Sequence, residues 1–202
     1  MTQKQPYKMS FGTGGLLLNE SVEVARLHVP EEPWEDTIRR AMQQGTTALP
    51  KAASNRRTLR EISNRLLTLS DAERVFLIEQ ADRADQQALL WLACCRAYRF
   101  IWEFAIEVIR ERYLSYEYDL PPESFDILLD AKAEWHDGLA SLRPSTRLKL
   151  RQVLFRMMRE AGVISADGKI QAALLSSPLN LLIERHNRGD LAVFPGVPVQ
   201  GV

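Results

Sequence analysis

Cysteine is almost absent from this chain: two of 202 residues, adjacent as Cys94 and Cys95. Neighbouring side chains on a helix point in different directions, so the pair offers no ordinary disulfide geometry; a stapled fold is excluded and a reducing cytoplasm is the expected compartment. Long hydrophobic runs are missing too. The longest, Ala88 to Cys95, falls far short of the ~20 residues that span a bilayer. No N-terminal stretch joins a basic start to an apolar segment and a small-residue cleavage site, so the protein is expected to be neither secreted nor membrane-embedded. Net charge is also lacking: 26 Lys and Arg balance 26 Asp and Glu, which argues against a tail that coats nucleic acid by bulk charge.

Histidine is scarce and scattered. His28, His136 and His186 have no second histidine or cysteine at ligand spacing, so neither a zinc site nor a catalytic triad is expected. Glu134-Trp135-His136 sets one carboxylate near one imidazole, which specifies no reaction. Gly12-Thr13-Gly14-Gly15 is followed by no Lys-Ser or Lys-Thr and preceded by no strand, so it reads as a helix-entry turn, not as a phosphate cradle. No catalytic residue, cofactor or metal is expected, and the chain is read as a non-enzyme.

Hydrophobic content of 46% and charged content of 26% are those of a globular protein with its own core. Apolar periodicity predicts helices at about 15–28, from Pro33-Trp34 to Gln44 with Gly45 as C-terminal cap, and at about 53–68. Ser70-Asp71-Ala72-Glu73 has capping-box spacing and opens a helix to about Ala81. From Ala84 to about Tyr113 there is no proline or glycine; this aromatic-rich stretch is the central core element, as one helix or as two broken near Cys95. Within it Arg96, Arg99 and Arg110 are expected to pair with Glu103, Glu107 and Glu111. An acidic helix follows from Ser124 to about Lys132. Ser145 caps a helix at about 146–161, Asp167-Gly168 between short apolar pairs predicts a small hairpin, and Pro178 starts the last helix, to about Asn187. Phe194-Pro195-Gly196 is expected to begin a tail. The fold class is therefore mainly α. The expected division is a helical region at 1–115, a winged helix-turn-helix-like region at 116–195 and a tail at 196–202, or one compact unit.

Charge, though balanced in total, is unevenly placed. Residues 51–65 contain Lys51, Arg56, Arg57, Arg60 and Arg65 against Glu61 alone, and residues 143–159 contain six basic residues and no acid. Between them, residues 116–138 hold seven acids against Lys132. On the helix after Pro144, Leu150, Val153, Leu154, Met157 and Ala161 form one stripe, while Lys149, Gln152, Arg156 and Arg159 form another, flanked by Arg147 and Arg151. A solvated helix usually alternates charge to gain roughly 0.2–0.5 kcal/mol per i,i+4 pair. Accumulated like charge implies neutralisation from outside, and cations with an amide on one face suit phosphates and base edges.

Acidic helix, loop, basic helix and hairpin follow the order of a winged helix-turn-helix, with Lys169 as the wing contact. Arg56, Arg57, Arg60 and Arg65 offer a second basic face, and both islands on one side would make a continuous footprint. The expected partner is double-stranded DNA. The competing expectation is an adaptor that docks on another protein through the acidic 116–138 stretch.

A resemblance to a known family covers most of the chain. It is carried by Tyr7-Lys8-Met9-Ser10-Phe11 with Thr13-Gly14-Gly15-Leu16-Leu17, and by Leu90-Trp91-Leu92-Ala93 through Arg96, Tyr98, Phe100 and Glu103-Phe104-Ala105. Lys132-Ala133-Glu134-Trp135-His136 and the run from Lys149 to Met157, with Arg159-Glu160-Ala161-Gly162, complete it. These residues resemble the BrxA family of bacterial BREX (bacteriophage exclusion) defence systems. The resemblance implies a monomeric, all-helical, non-enzymatic protein with helix-turn-helix elements. It implies double-stranded DNA as ligand and other BREX proteins, including the methyltransferase, as partners. It carries no site motif, so the DNA-contacting residues named above rest on charge and spacing alone.

Overall fold

Burial centres on one helix, α5 (Arg83–Ala97), in which every residue from Leu89 to Cys95 is at most 1% exposed. A helix apolar on all faces must be wrapped by others. In this computed structural model, which describes residues 7–45 and 52–198, α1 (Leu18–Leu27), α3 (Ala52–Leu66), α4 (Asp71–Glu79) and α10 (Pro144–Glu160) all contact it. The remaining α-helices are α2 (Trp34–Gln44), α6 (Arg99–Glu103), α7 (Glu111–Leu114), α8 (Glu123–Ala133), α9 (Asp137–Ala140) and α11 (Ser177–Asn187), and a 3-10 helix follows at Arg188–Val193. One hydrophobic cluster runs from Phe11 to Phe194 and draws on both sides of residue 115. No helix among the described residues is long and apolar enough to cross a membrane.

Local chemistry explains most boundaries. The Ser70 hydroxyl accepts from the Glu73 N–H while the Glu73 carboxylate accepts from the Ser70 N–H, so the capping box forms and starts α4. Gly45 closes α2 in the left-handed conformation at φ 66°. The break near Cys95 falls at Tyr98, whose extended backbone (φ −132°, ψ 104°) separates α5 from α6. The chain then passes through a π-helical stretch, Phe104–Arg110, into α7.

Three expectations change. Ser145 does not cap α10: the helix starts at Pro144, whose missing N–H and fixed φ suit the first helical position, and Arg143 is the N-cap residue. The Asp167-Gly168 turn forms, with Gly168 at φ 84°, but no strand exists among the described residues. The turn makes an isolated bridge, Ile164 to Ile170, and a second joins Lys169 to Asp119. Each arm is too short for a ladder, and the Ile170 N–H donates out of the turn to the Tyr118 carbonyl. Nor does a tail begin at Phe194. That ring is 1% exposed, the Trp91 Nε1 donates to the Val193 carbonyl, and the Pro195 carbonyl accepts from Ala173. Residues 199–202 of the expected tail, like Lys51, lie outside the described residues.

Candidate nucleic-acid interface

α10 buries Leu150, Leu154, Phe155, Met157 and Met158 and exposes Lys149, Gln152, Arg156 and Arg159, as its two stripes require. Its flanking arginines turn the other way, onto α8. Arg147 Nη1 lies 2.7 Å from Asp130 Oδ1, and Arg151 pairs with Asp126. Arg156 Nε meets Glu160 Oε1 at 2.7 Å. Neutralisation expected from outside the molecule therefore comes in part from within it, because the acidic helix packs against the basic one. These pairs are solvent-accessible, worth roughly 0–1 kcal/mol each, and leave the cations exchangeable. Lys149 and Arg159 have no ion-pair partner among the described residues.

On α3, Arg56, Arg57 and Arg60 are exposed and likewise unpaired among the described residues. Arg65 is different and leaves the expected DNA-contacting set. It is 1% exposed, with Nε 2.7 Å from Glu61 Oε1 and Nη1 donating to the Gly15 carbonyl at 2.8 Å, while the Tyr98 hydroxyl donates to the same Glu61 at 2.6 Å. The register explains this. Thr58, Ile62, Arg65 and Leu69 are spaced four, three and four apart, and all four are buried; position 65 lies on the inward stripe. That spacing is present in the sequence.

The two islands meet. Residues 7–17 form an irregular strap over the helices, pinned by Tyr7, whose hydroxyl donates to Glu103, and by Phe11, packed edge-on to Tyr98. Between this strap, α3 and α10 lies a trough of about 670 Å³. Thr13, Gly14 and Glu20 line one side, Ser54, Arg57 and Thr58 another, and Lys149, Gln152 and Arg156 the third. Two smaller hollows share lining residues with it, one bordered by Ser145 and Thr146 at the start of α10 and one by Arg83, Gln87 and Glu160 at its end. Arg57 from the first island and three members of the α10 stripe thus share one concavity. Arg56, Arg60, Arg147, Arg151 and Arg159 do not line it, and neither does Lys169, whose Nζ sits 3.9 Å from Asp167.

The glycine-rich turn is part of this wall. The Leu16 N–H donates to Glu160 Oε2 at 2.5 Å, and a side chain at buried Gly15 would collide with that carboxylate. The loop amide is thus occupied by an internal anion just before α1 begins, as a helix-entry turn and not as a phosphate cradle.

Elsewhere, polar residues serve packing. Arg96 bonds Glu73 and Asp190, and Arg110 donates to the carbonyls of Ala192 and Val197, neither using the glutamates expected; Arg99 does reach Glu103, at 2.7 Å. His28 stacks on Trp34 at 3.9 Å, with burial first among the causes that lower its pKa, and His136 meets the Tyr7 ring edge-on. Burial pushes both cysteine thiols up. No group of three or more His, Cys, Asp and Glu among the described residues is arranged to hold a metal.

A family model described as BrxA matches residues 5–187. The chain belongs to the BrxA family. Its curated BrxA relatives include BREX protein BrxA of Escherichia coli O9:H4 (strain HS), 25% identical over 185 residues, which cover 88% of this chain and 84% of that one. BREX protein BrxA of Bacillus cereus (strain H3081.97) is 24% identical over 167 residues, 81% of this chain and 82% of its own. The BrxA-family fold described here is also similar to the crystal structure of an uncharacterized protein from Magnetospirillum magneticum. The TM-score is 0.77 at 20% identity, over 94% of this chain and 98% of that one.

Proposed function

We propose that this BrxA-family protein is a non-enzymatic, monomeric, double-stranded DNA-binding component of the BREX phage-exclusion system. The family supports the system. The observation that supports DNA is the convergence of Arg57 with Lys149, Gln152 and Arg156 on one trough. Outside its lining, Arg56, Arg60 and Arg159 are exposed and without an ion-pair partner among the described residues. A neutral molecule attracts a polyanion when its unneutralised cations are gathered on one side. On this reading α8 and α10 act as the helices of a helix-turn-helix-like unit, with the turn at 165–170 in place of a wing. Fluorescence anisotropy with a labelled duplex at increasing salt tests it. Binding that tolerates sequence change and falls steeply with salt is expected, because released counterions drive it; no binding at low ionic strength refutes it.

A second reading is an adaptor that docks on the methyltransferase or another system component. The acidic helix α8 spends Asp126 and Asp130 on α10, yet exposes Ile127 (70%), and Trp135 just beyond it is 72% exposed. Under this reading Ile127→Glu abolishes a partner complex and leaves DNA binding intact.

A further inference from the structure

We infer that the trough between the strap, α3 and α10 holds one sugar–phosphate strand, so that the protein grips DNA by a single backbone. This rests on the DNA-binding reading, and it puts a grip on one backbone in place of the groove insertion that a helix-turn-helix would make. A helix with its side chains is roughly 10–12 Å across and just fills a major groove roughly 12 Å wide. To read bases that way its cations must stand on a convex crest. Here Lys149, Gln152 and Arg156 instead border a concavity whose opposite walls are Thr13, Gly14 and Arg57. A single backbone enters such a space where a duplex does not.

Along α10 the trough is bordered from Lys149 to Arg156, about 10 Å at ~1.5 Å per helical residue, which is room for a short stretch of one backbone. The chemistry suits that backbone. Arg57 and Lys149 come from different walls, and Thr13, Ser54 and Thr58 are also among the lining residues. No aromatic side chain is among the described residues that line the trough, so bases have nothing to stack on and recognition is of phosphate and sugar. One acidic side chain opposes this: Glu20, half-buried on the strap side, has no ion-pair partner among the described residues. Glu160, by contrast, is occupied by the Leu16 N–H and Arg156.

The complementary strand is therefore dispensable, and Glu20 limits affinity. The test is anisotropy with a labelled single-stranded 20-mer of mixed sequence and with the same sequence as duplex. The single strand should bind within about threefold of the duplex. With Arg57 and Lys149 each displacing one counterion, the slopes of log affinity against log salt should be about −1.4 and about −1.8 respectively. Arg57→Glu and Lys149→Glu should weaken both forms by about tenfold. Glu20→Gln should strengthen both by about threefold, a gain that misfolding does not mimic. A duplex bound more than tenfold tighter than the single strand overturns the inference and leaves the DNA-binding reading standing. Binding of both forms that is indifferent to all three substitutions overturns it as well. If neither form binds, the proposed function itself falls.

Discussion

The molecule contains two basic helices that look alike in the sequence and differ in the fold. α10 shows arginines and a lysine without an acid before Glu160, yet Arg147, Arg151 and Arg156 end in pairs with Asp130, Asp126 and Glu160. α3 contains a mid-helix acid, Glu61, yet Arg56, Arg57 and Arg60 stay unneutralised among the described residues, and only Arg65 takes that acid, inside the core. Nearby acid in the sequence is thus a poor guide to remaining charge. What attracts a polyanion is the charge left after tertiary packing, and by that measure α3 is the more electropositive helix. A recognition helix alone does not describe this protein; the strap that joins both helices matters as much.

Four measurements break or sharpen that contrast. The largest effect belongs to Arg65→Ala, which strands Glu61 in the core and should cost about 3–5 kcal/mol in urea denaturation. Arg60→Ala, one turn away and exposed, should stay within about 0.5 kcal/mol. Equal losses would erase the division between the inner and outer arginines of α3. Gly15→Ala comes next: its Cβ meets the Glu160 carboxylate, which should cost about 1–3 kcal/mol and weaken DNA binding with every cation still present. If Gly15→Ala is neutral in both assays, the strap is not a wall of the site.

Smaller effects concern pairs and pH. Arg147→Ala and Arg151→Ala should each lower stability by about 0–1 kcal/mol and change DNA affinity by less than twofold, whereas Arg57→Glu lowers affinity without moving Tm. A reversal of that order would return the function to α10's flank. For Glu73, burial alone raises the carboxyl pKa, but hydrogen bonds from Arg96 and the Ser70 N–H outweigh it and hold the group below the usual carboxylate range. A depressed carboxyl contributes stability above its unfolded pKa and loses it as pH falls through the folded value. Tm should therefore drop between pH 6 and pH 3, and the drop should shrink in Arg96→Met. An unchanged slope in that variant would show that the Arg96 network does not set the acid sensitivity.

How far these features can be read without coordinates depends on their range. The Ser70 capping box, the Gly45 cap and the α10 stripes use neighbours within a few residues, and each forms as its spacing predicts. The buried place of Arg65 is written in its register with Thr58, Ile62 and Leu69. Position along a helix is a stronger signal than charge when the two conflict. The wing and the tail fail for a shared reason: Ile170 bonds Tyr118, and Pro195 bonds Ala173, partners that no local pattern names.

Spacing in the sequence was enough for a mainly helical chain with an apolar α5 at its centre and two basic islands. This is because helix starts, stops and inward faces depend on neighbours within one or two turns. Only the tertiary structure decided which cations remain unneutralised and that the two islands share a trough under a glycine-containing strap. Ion pairs such as Arg151–Asp126 and docking contacts such as Leu16–Glu160 join residues distant in sequence, and their existence depends on which faces pack together.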